Sequence, residues 1–90
     1  MKLVWLERAL EDQDAALAYI TDRNEAAAEA LYSAIESCIG RLLKYPFMYR
    51  SGRAPGTREA VVHPNYILIY RVTDDAVEIV RLVHARQQYP

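Results

Sequence analysis

Leu6, Leu10, Gln13, Leu17 and Ile20 return at intervals of four and three positions near the start of the chain. That spacing gathers side chains on one face of an amphipathic helix. Glu7, Glu11, Asp12 and Asp14 crowd its first turns, where the helix dipole favours negative charge. Ahead of it, Lys-Leu-Val-Trp at 2–5 is apolar and β-favouring, and predicts a short strand. A break at Thr21-Asp22-Arg23-Asn24 ends the first helix, and Asn24 is a good N-cap for a second. Ala27, Leu31, Ile35, Cys38 and Leu42 mark the buried stripe of that second helix, and Pro46 should stop it. The short connection predicts an antiparallel helical hairpin.

Residues 46–57 form the longest irregular stretch, and Pro55-Gly56 within it suits a type II turn. Three alternating apolar runs follow at about 58–63, 66–73 and 76–84, separated by Pro-Asn and Asp-Asp turns. Turns this short require antiparallel neighbours. The expected order is therefore β-α-α-β-β-β: a single α+β domain over 1–90, with the helical hairpin packed on a mainly antiparallel sheet. Alternation puts Tyr66, Leu68, Tyr70 and Val72 on one side of the middle strand and Ile67, Ile69 and Arg71 on the other. On the last strand it sets Val77, Ile79, Arg81 and Val83 against Glu78, Val80, Leu82 and His84. Both sides are substantially apolar, so the pattern leaves open which one meets the helices.

Ninety residues bury a thin core, which suggests that stability leans on a partner that binds the folded state. The net charge of −1 hides an asymmetry. Residues 1–40 carry three basic and eight acidic groups, a balance of −5, and residues 41–90 carry eight basic and four acidic groups, a balance of +4. Such a split bears on partners and steering rather than on fold. One cysteine, Cys38, excludes an internal disulfide framework and fits a reducing compartment. No apolar run approaches the roughly 20 residues that span a bilayer, and no secretory signal is visible. A cytoplasmic protein is expected.

The candidate chemistry is sparse. His63, His84 and Cys38 lack metal-ligand spacing, and no metal or other cofactor is expected. The three glycines are scattered, and Ser33, Ser37 and Ser51 have no evident partner base. The last two-fifths of the chain hold Arg58, Arg71, Arg81 and Arg86 on or beside the strands. That basic sheet suggests an anionic or nucleic-acid-associated partner. Tyr45, Tyr49, Tyr66 and Tyr70 offer stacking faces, although tyrosine on a half-buried sheet more often packs with its hydroxyl satisfied. Trp5 reads as a core residue.

The stretches LVWLERALEDQDAALAYI (3–20), GTREAVVHPNYILIYRV (56–72) and VEIVRLVHARQQYP (77–90) cover almost the whole chain. Together they resemble the RelE/ParE superfamily of toxins from type II toxin–antitoxin modules, and are closest to the ParE-like branch. The carrying combination is Arg58-Glu59 through Tyr70-Arg71-Val72, followed by His84-Ala85-Arg86-Gln87. The resemblance implies the β-α-α-β-β-β fold and a cytoplasmic toxin in a hetero-oligomer with its cognate antitoxin, a partly disordered chain that folds on binding. It also implies one of two targets. ParE-like members poison DNA gyrase, and RelE-like members are ribosome-dependent mRNA endoribonucleases. The fold does not choose between them.

Metal-free RNA cleavage needs a base, a phosphate-binding cation and an acid, with acid–base groups supplying roughly 10²–10⁴-fold. On the nuclease reading the resemblance offers Arg58, Arg81, His84 and Tyr89. Ile67, however, stands where several nuclease relatives place an arginine, which favours a non-catalytic gyrase inhibitor. On that reading Arg58, Arg81, His84 and Arg86 are the expected target-binding residues, arginine being suited to hold both geometry and charge. A third alternative is a detoxified member that acts mainly through antitoxin binding.

Overall fold

In the computed structural model, which describes residues 1–87, the elements are β1 (Lys2–Trp5), α1 (Glu7–Thr21), α2 (Glu25–Lys44), β2 (Arg50–Ser51), β3 (Arg58–His63), β4 (Tyr66–Val72) and β5 (Ala76–His84). Asn24 caps α2 as its sequence predicts, its Oδ1 accepting from the Ala27 amide at 3.0 Å. Arg41 and Lys44 occupy the last turn of α2, where cations complement the dipole. The helix stops two residues before Pro46. Gly56 takes φ +79° and the Thr57 amide returns to the Ala54 carbonyl at 3.2 Å, closing the turn expected at Pro55-Gly56.

The strands form one five-stranded sheet in the order β1-β5-β4-β3-β2. Its meander is antiparallel throughout, and β1 adds the single parallel pair, Lys2 opposite Ala76 through Trp5 opposite Ile79. The predicted element order holds, with one addition inside the stretch read as irregular. The two-residue β2 pairs with β3 through Arg50–Glu59 and Ser51–Arg58. α1 packs against α2 and β5, and α2 against β3.

The helix-facing core joins Leu31, Ile35, Cys38 and Leu42 of α2 to Leu68 and Tyr70 of β4 and to Val77, Ile79 and Leu82 of β5. Each fully buried Leu or Ile there contributes about 1.5–3 kcal/mol against exposure. Trp5 packs against this core as expected. Two of the predicted helix stripes are corrected by one residue. Leu10 is 44% exposed while Ala9 is fully buried, and Ala28, not Ala27, lies inside α2's stripe. At both places the inward position is held by a small alanine.

The alternation assigned to the last strand is also corrected. Ile69 lies opposite Arg81 but Tyr70 lies opposite Ile79, so Val80 is an extra residue on β5. A bulge of this kind shifts the period-two phase of everything beyond it. Val77 and Ile79 therefore join the helix-facing core, while Val83 crosses to the opposite face with Ile67 and Ile69.

Candidate functional site

The candidate side chains lie at two ends of the meander, and the register keeps them apart. His84 lies opposite Tyr66, whereas Arg58 lies opposite Tyr70. Four residues of β4 separate these rungs, about 13 Å at strand rise. The expected target-binding set is thus divided: His84 and Arg86 stand at one end, Arg58 at the other, and Arg81 between them. Tyr89 lies outside the described residues.

At the first end, the Tyr66 ring is flanked by two imidazoles, His84 at 5.3 Å and His63 at 6.0 Å between ring centroids. The bulge at Val61/His63 brings His63 opposite Tyr66. Each histidine's Nδ1 accepts a backbone amide two residues on, from Asn65 to His63 and from Arg86 to His84, both at 3.1 Å. A neutral imidazole that accepts at Nδ1 carries its proton on Nε2. With Nδ1 of His63 and His84 each accepting an amide, Nε2 is the nitrogen placed to donate. Sequence reasoning missed this grouping. The available sequence signal is spacing: His63 adjoins the Pro64-Asn65 turn, and Tyr66 and His84 lie at similar distances on either side of Asp74-Asp75.

Arg81 is committed to the fold. Its guanidinium binds Asp12 of α1 at two points, Nε to Oδ2 at 2.6 Å and Nη2 to Oδ1 at 3.2 Å. The Leu82 amide donates to the same carboxylate at 3.0 Å. Arg71 is likewise engaged, with Glu78 across the sheet. Two of the four arginines of the predicted basic face, Arg71 and Arg81, are thus paired with carboxylates of the fold.

At the second end, Arg58 donates to the carbonyls of Tyr49 at 2.7 Å and Phe47 at 3.3 Å, and its guanidinium lies 5.1 Å from the Phe47 ring. The Tyr70 hydroxyl donates to the Pro46 carbonyl at 2.7 Å. Burial pushes the Tyr70 phenol up to about 12, with the Arg58 charge opposing. Arg41 donates to the Tyr49 hydroxyl at 3.0 Å, and Tyr49 sets its ring edge-on to Tyr70. Hydrogen bonding and charge at Tyr49 raise Arg41 further above its ordinary range. Burial raises the neighbouring Cys38 thiol, which removes it from nucleophilic chemistry at neutral pH.

A buried carboxylate completes this end and was missed in the sequence. Glu59 accepts from Arg50 at 3.2 Å and from both the backbone amide and the guanidinium of Arg53, at 2.9 and 3.2 Å. Burial alone would raise its carboxyl, but the Arg53 hydrogen bonds and the charges of Arg53 and Arg50 hold it below the usual carboxylate range. Its position on a strand among apolar residues, within ten positions of three arginines, was the available signal.

Ile67 is buried on the sheet face away from the helices with Ile69 and Val83. Among the described residues, no group of three or more His, Cys, Asp or Glu is placed to hold a metal ion. No helix among them is long and apolar enough to cross a membrane. The arrangement supplies hydrogen-bond donors at one end and an apolar, cation-rimmed loop at the other. Among the described residues, Arg58, Arg81 and His84 do not converge on a single point.

Known proteins resemble this chain along its whole length. The ParE toxin family of type II toxin–antitoxin systems, parDE, matches residues 3–89. Toxin Y4kP of Sinorhizobium fredii is 38% identical over 90 residues, covering 99% of this chain and 93% of that protein. Toxin RelE2 of Caulobacter vibrioides is 37% identical over 84 residues, covering 93% and 94%. Among solved structures, a chain of the chromosomal ParDE TA system from P. aeruginosa superposes with a TM-score of 0.80 at 19% identity, covering 93% of this chain and 95% of that one.

Proposed function

This chain belongs to the ParE toxin family of type II toxin–antitoxin systems, and on that premise we propose that it arrests growth by binding DNA gyrase without catalysis, in the cytoplasm, until its cognate antitoxin neutralises it. The observation that carries this reading is the commitment of its cations. Arg81 is held by Asp12, and Arg58 is spent on loop carbonyls about 13 Å of strand away from His84. A nuclease needs these groups converging on one phosphate.

His84 and Arg86 are the target-binding residues in this proposal. Nε2–H of His84 and the exposed Arg86 supply donors at the edge of the sheet. Arg58 and Arg81 contribute by holding the loop and α1 in place. The expected assembly is a hetero-oligomer with the antitoxin.

The nuclease reading draws on one feature, the His63–Tyr66–His84 grouping, whose donors suit a phosphate. The test runs purified gyrase supercoiling and DNA-cleavage assays beside an in vitro translation assay. Stabilised gyrase–DNA cleavage complexes with translation unaffected is the expected result. Translation arrest with discrete mRNA cuts and untouched gyrase would overturn it in favour of the nuclease. Silence in both assays, with no growth arrest on expression, would identify a detoxified member.

A further inference from the structure

Between Glu36 and Glu59 the chain holds five cations and no acidic residue, and the fold gathers these cations around one apolar loop. Arg41 reaches the Tyr49 hydroxyl, Lys44 sits 5.6 Å from the Tyr45 ring, and Arg58 holds the carbonyls of Phe47 and Tyr49. Arg50 and Arg53 adjoin them through Glu59, the one carboxylate in the group. Within this ring of charge, Tyr45, Phe47 and Met48 are 54%, 64% and 52% exposed, and with Lys44 and Pro46 they line an open groove. Single exposed apolar residues are ordinary, but a contiguous exposed run rimmed by one sign of charge marks a contact surface.

We propose that the Lys44–Met48 groove docks an acidic peptide segment that seats one bulky aliphatic or aromatic side chain among Tyr45, Phe47 and Met48 and sets its carboxylates against the surrounding cations. Charge complementarity selects the sign of the partner. The state of the aromatic faces selects peptide over nucleic acid. Bases stack on open ring faces, yet one face each of Phe47 and Tyr45 is approached by Arg58 and Lys44. The exposed ring surface that remains, with Pro46 and Met48, packs against aliphatic side chains. Arg41, Arg50 and Arg58, each held by a bond within the fold, meet a carboxylate at little entropic cost.

The biological sense of this site rests on the toxin–antitoxin reading, since an antitoxin is the partner that would bring such a segment. The docking itself does not depend on gyrase being the target, so failure of the gyrase assay leaves it standing. The test is selection of a random dodecapeptide display library on the intact chain, followed by affinity measurement for the enriched peptides. Phe47→Ser, Lys44→Glu and wild type are compared, with circular dichroism and thermal melts establishing that each variant is folded. Enriched peptides should pair Asp or Glu with Leu, Phe or Trp, and both substitutions should weaken them about tenfold or more. Enrichment of peptides indifferent to Phe47→Ser and Lys44→Glu would overturn the proposal, as would the absence of any enrichment. Binding of oligouridylate that falls with the same two substitutions, in place of peptide binding, would overturn it in favour of nucleic acid.

Discussion

Asp12 and Arg81, 69 residues apart in sequence, meet in a two-point ion pair that fastens α1 to β5. The Leu82 amide donates to the same carboxylate, so Asp12 serves three donors at the bulge in β5. This pair explains why the most prominent cation of the last strand takes a structural part. It also accounts for the half-buried polar side of α1, which a purely apolar stripe would not predict.

Removing Asp12 leaves a half-buried guanidinium and a strand amide without their acceptor. Asp12→Ala is expected to lower stability by about 2 kcal/mol, between the values for exposed and fully buried pairs. For a domain of this size that is a fall of roughly 8–16 °C in Tm, measured by thermal melts. A double-mutant cycle with Arg81→Ala should show coupling, and additive effects would show that the pair contributes nothing.

Glu59 ties stability to acid pH. Its folded carboxyl titrates below the ordinary value of 4.5. Its contribution is therefore fully present above the unfolded value and is lost as pH falls through the lower folded one. Urea unfolding of wild type should show stability dropping below about pH 4.5. In Glu59→Gln the drop should be smaller, with about 1–2 kcal/mol already lost at neutral pH.

Tyr70 gives the opposite limb. Its phenol is raised from 10 to about 12, so the stability it contributes is fully present below 10 and is lost as pH rises through about 12. An ultraviolet difference titration should show one of the seven tyrosines ionising well after the others and together with unfolding. Tyr70→Phe should remove that late step and cost about 1 kcal/mol, the worth of the bond to the Pro46 carbonyl.

The arginines should separate by role. Arg86→Ala, at an exposed position, is expected to leave the thermal melt unchanged while weakening gyrase inhibition about tenfold. Arg58→Ala should lower both, because it releases the carbonyls of Phe47 and Tyr49. Dose–response curves in the supercoiling assay, set beside melts of the same preparations, check this. An Arg86→Ala protein as potent as wild type would remove that residue from the contact surface.

Much of the architecture follows from local pattern. The helix and strand periods, the Asn24 cap, the stop before Pro46 and the Pro55-Gly56 turn are decided by groups only a few residues apart. Those interactions act whatever the rest of the chain does, so they are readable in order along it. The site was less legible. The grouping of His63 with Tyr66 depends on a bulge, and the Glu59 clasp on the two-residue β2.

The sequence by itself determined the α+β element order, the family and the concentration of positive charge after residue 40. Those properties reside in residue types and their short-range spacing. Only the tertiary structure decided which cations face outward. The extra residue at Val80 reset the phase of β5, sent Val83 to the far face and left Arg81 beside Asp12. An alternating apolar run carries no mark of where a bulge will fall, because the bulge is set by how two strands and a helix pack together. The pairing of Arg81 with a carboxylate 69 residues away is likewise fixed by packing, not by any pattern along the chain.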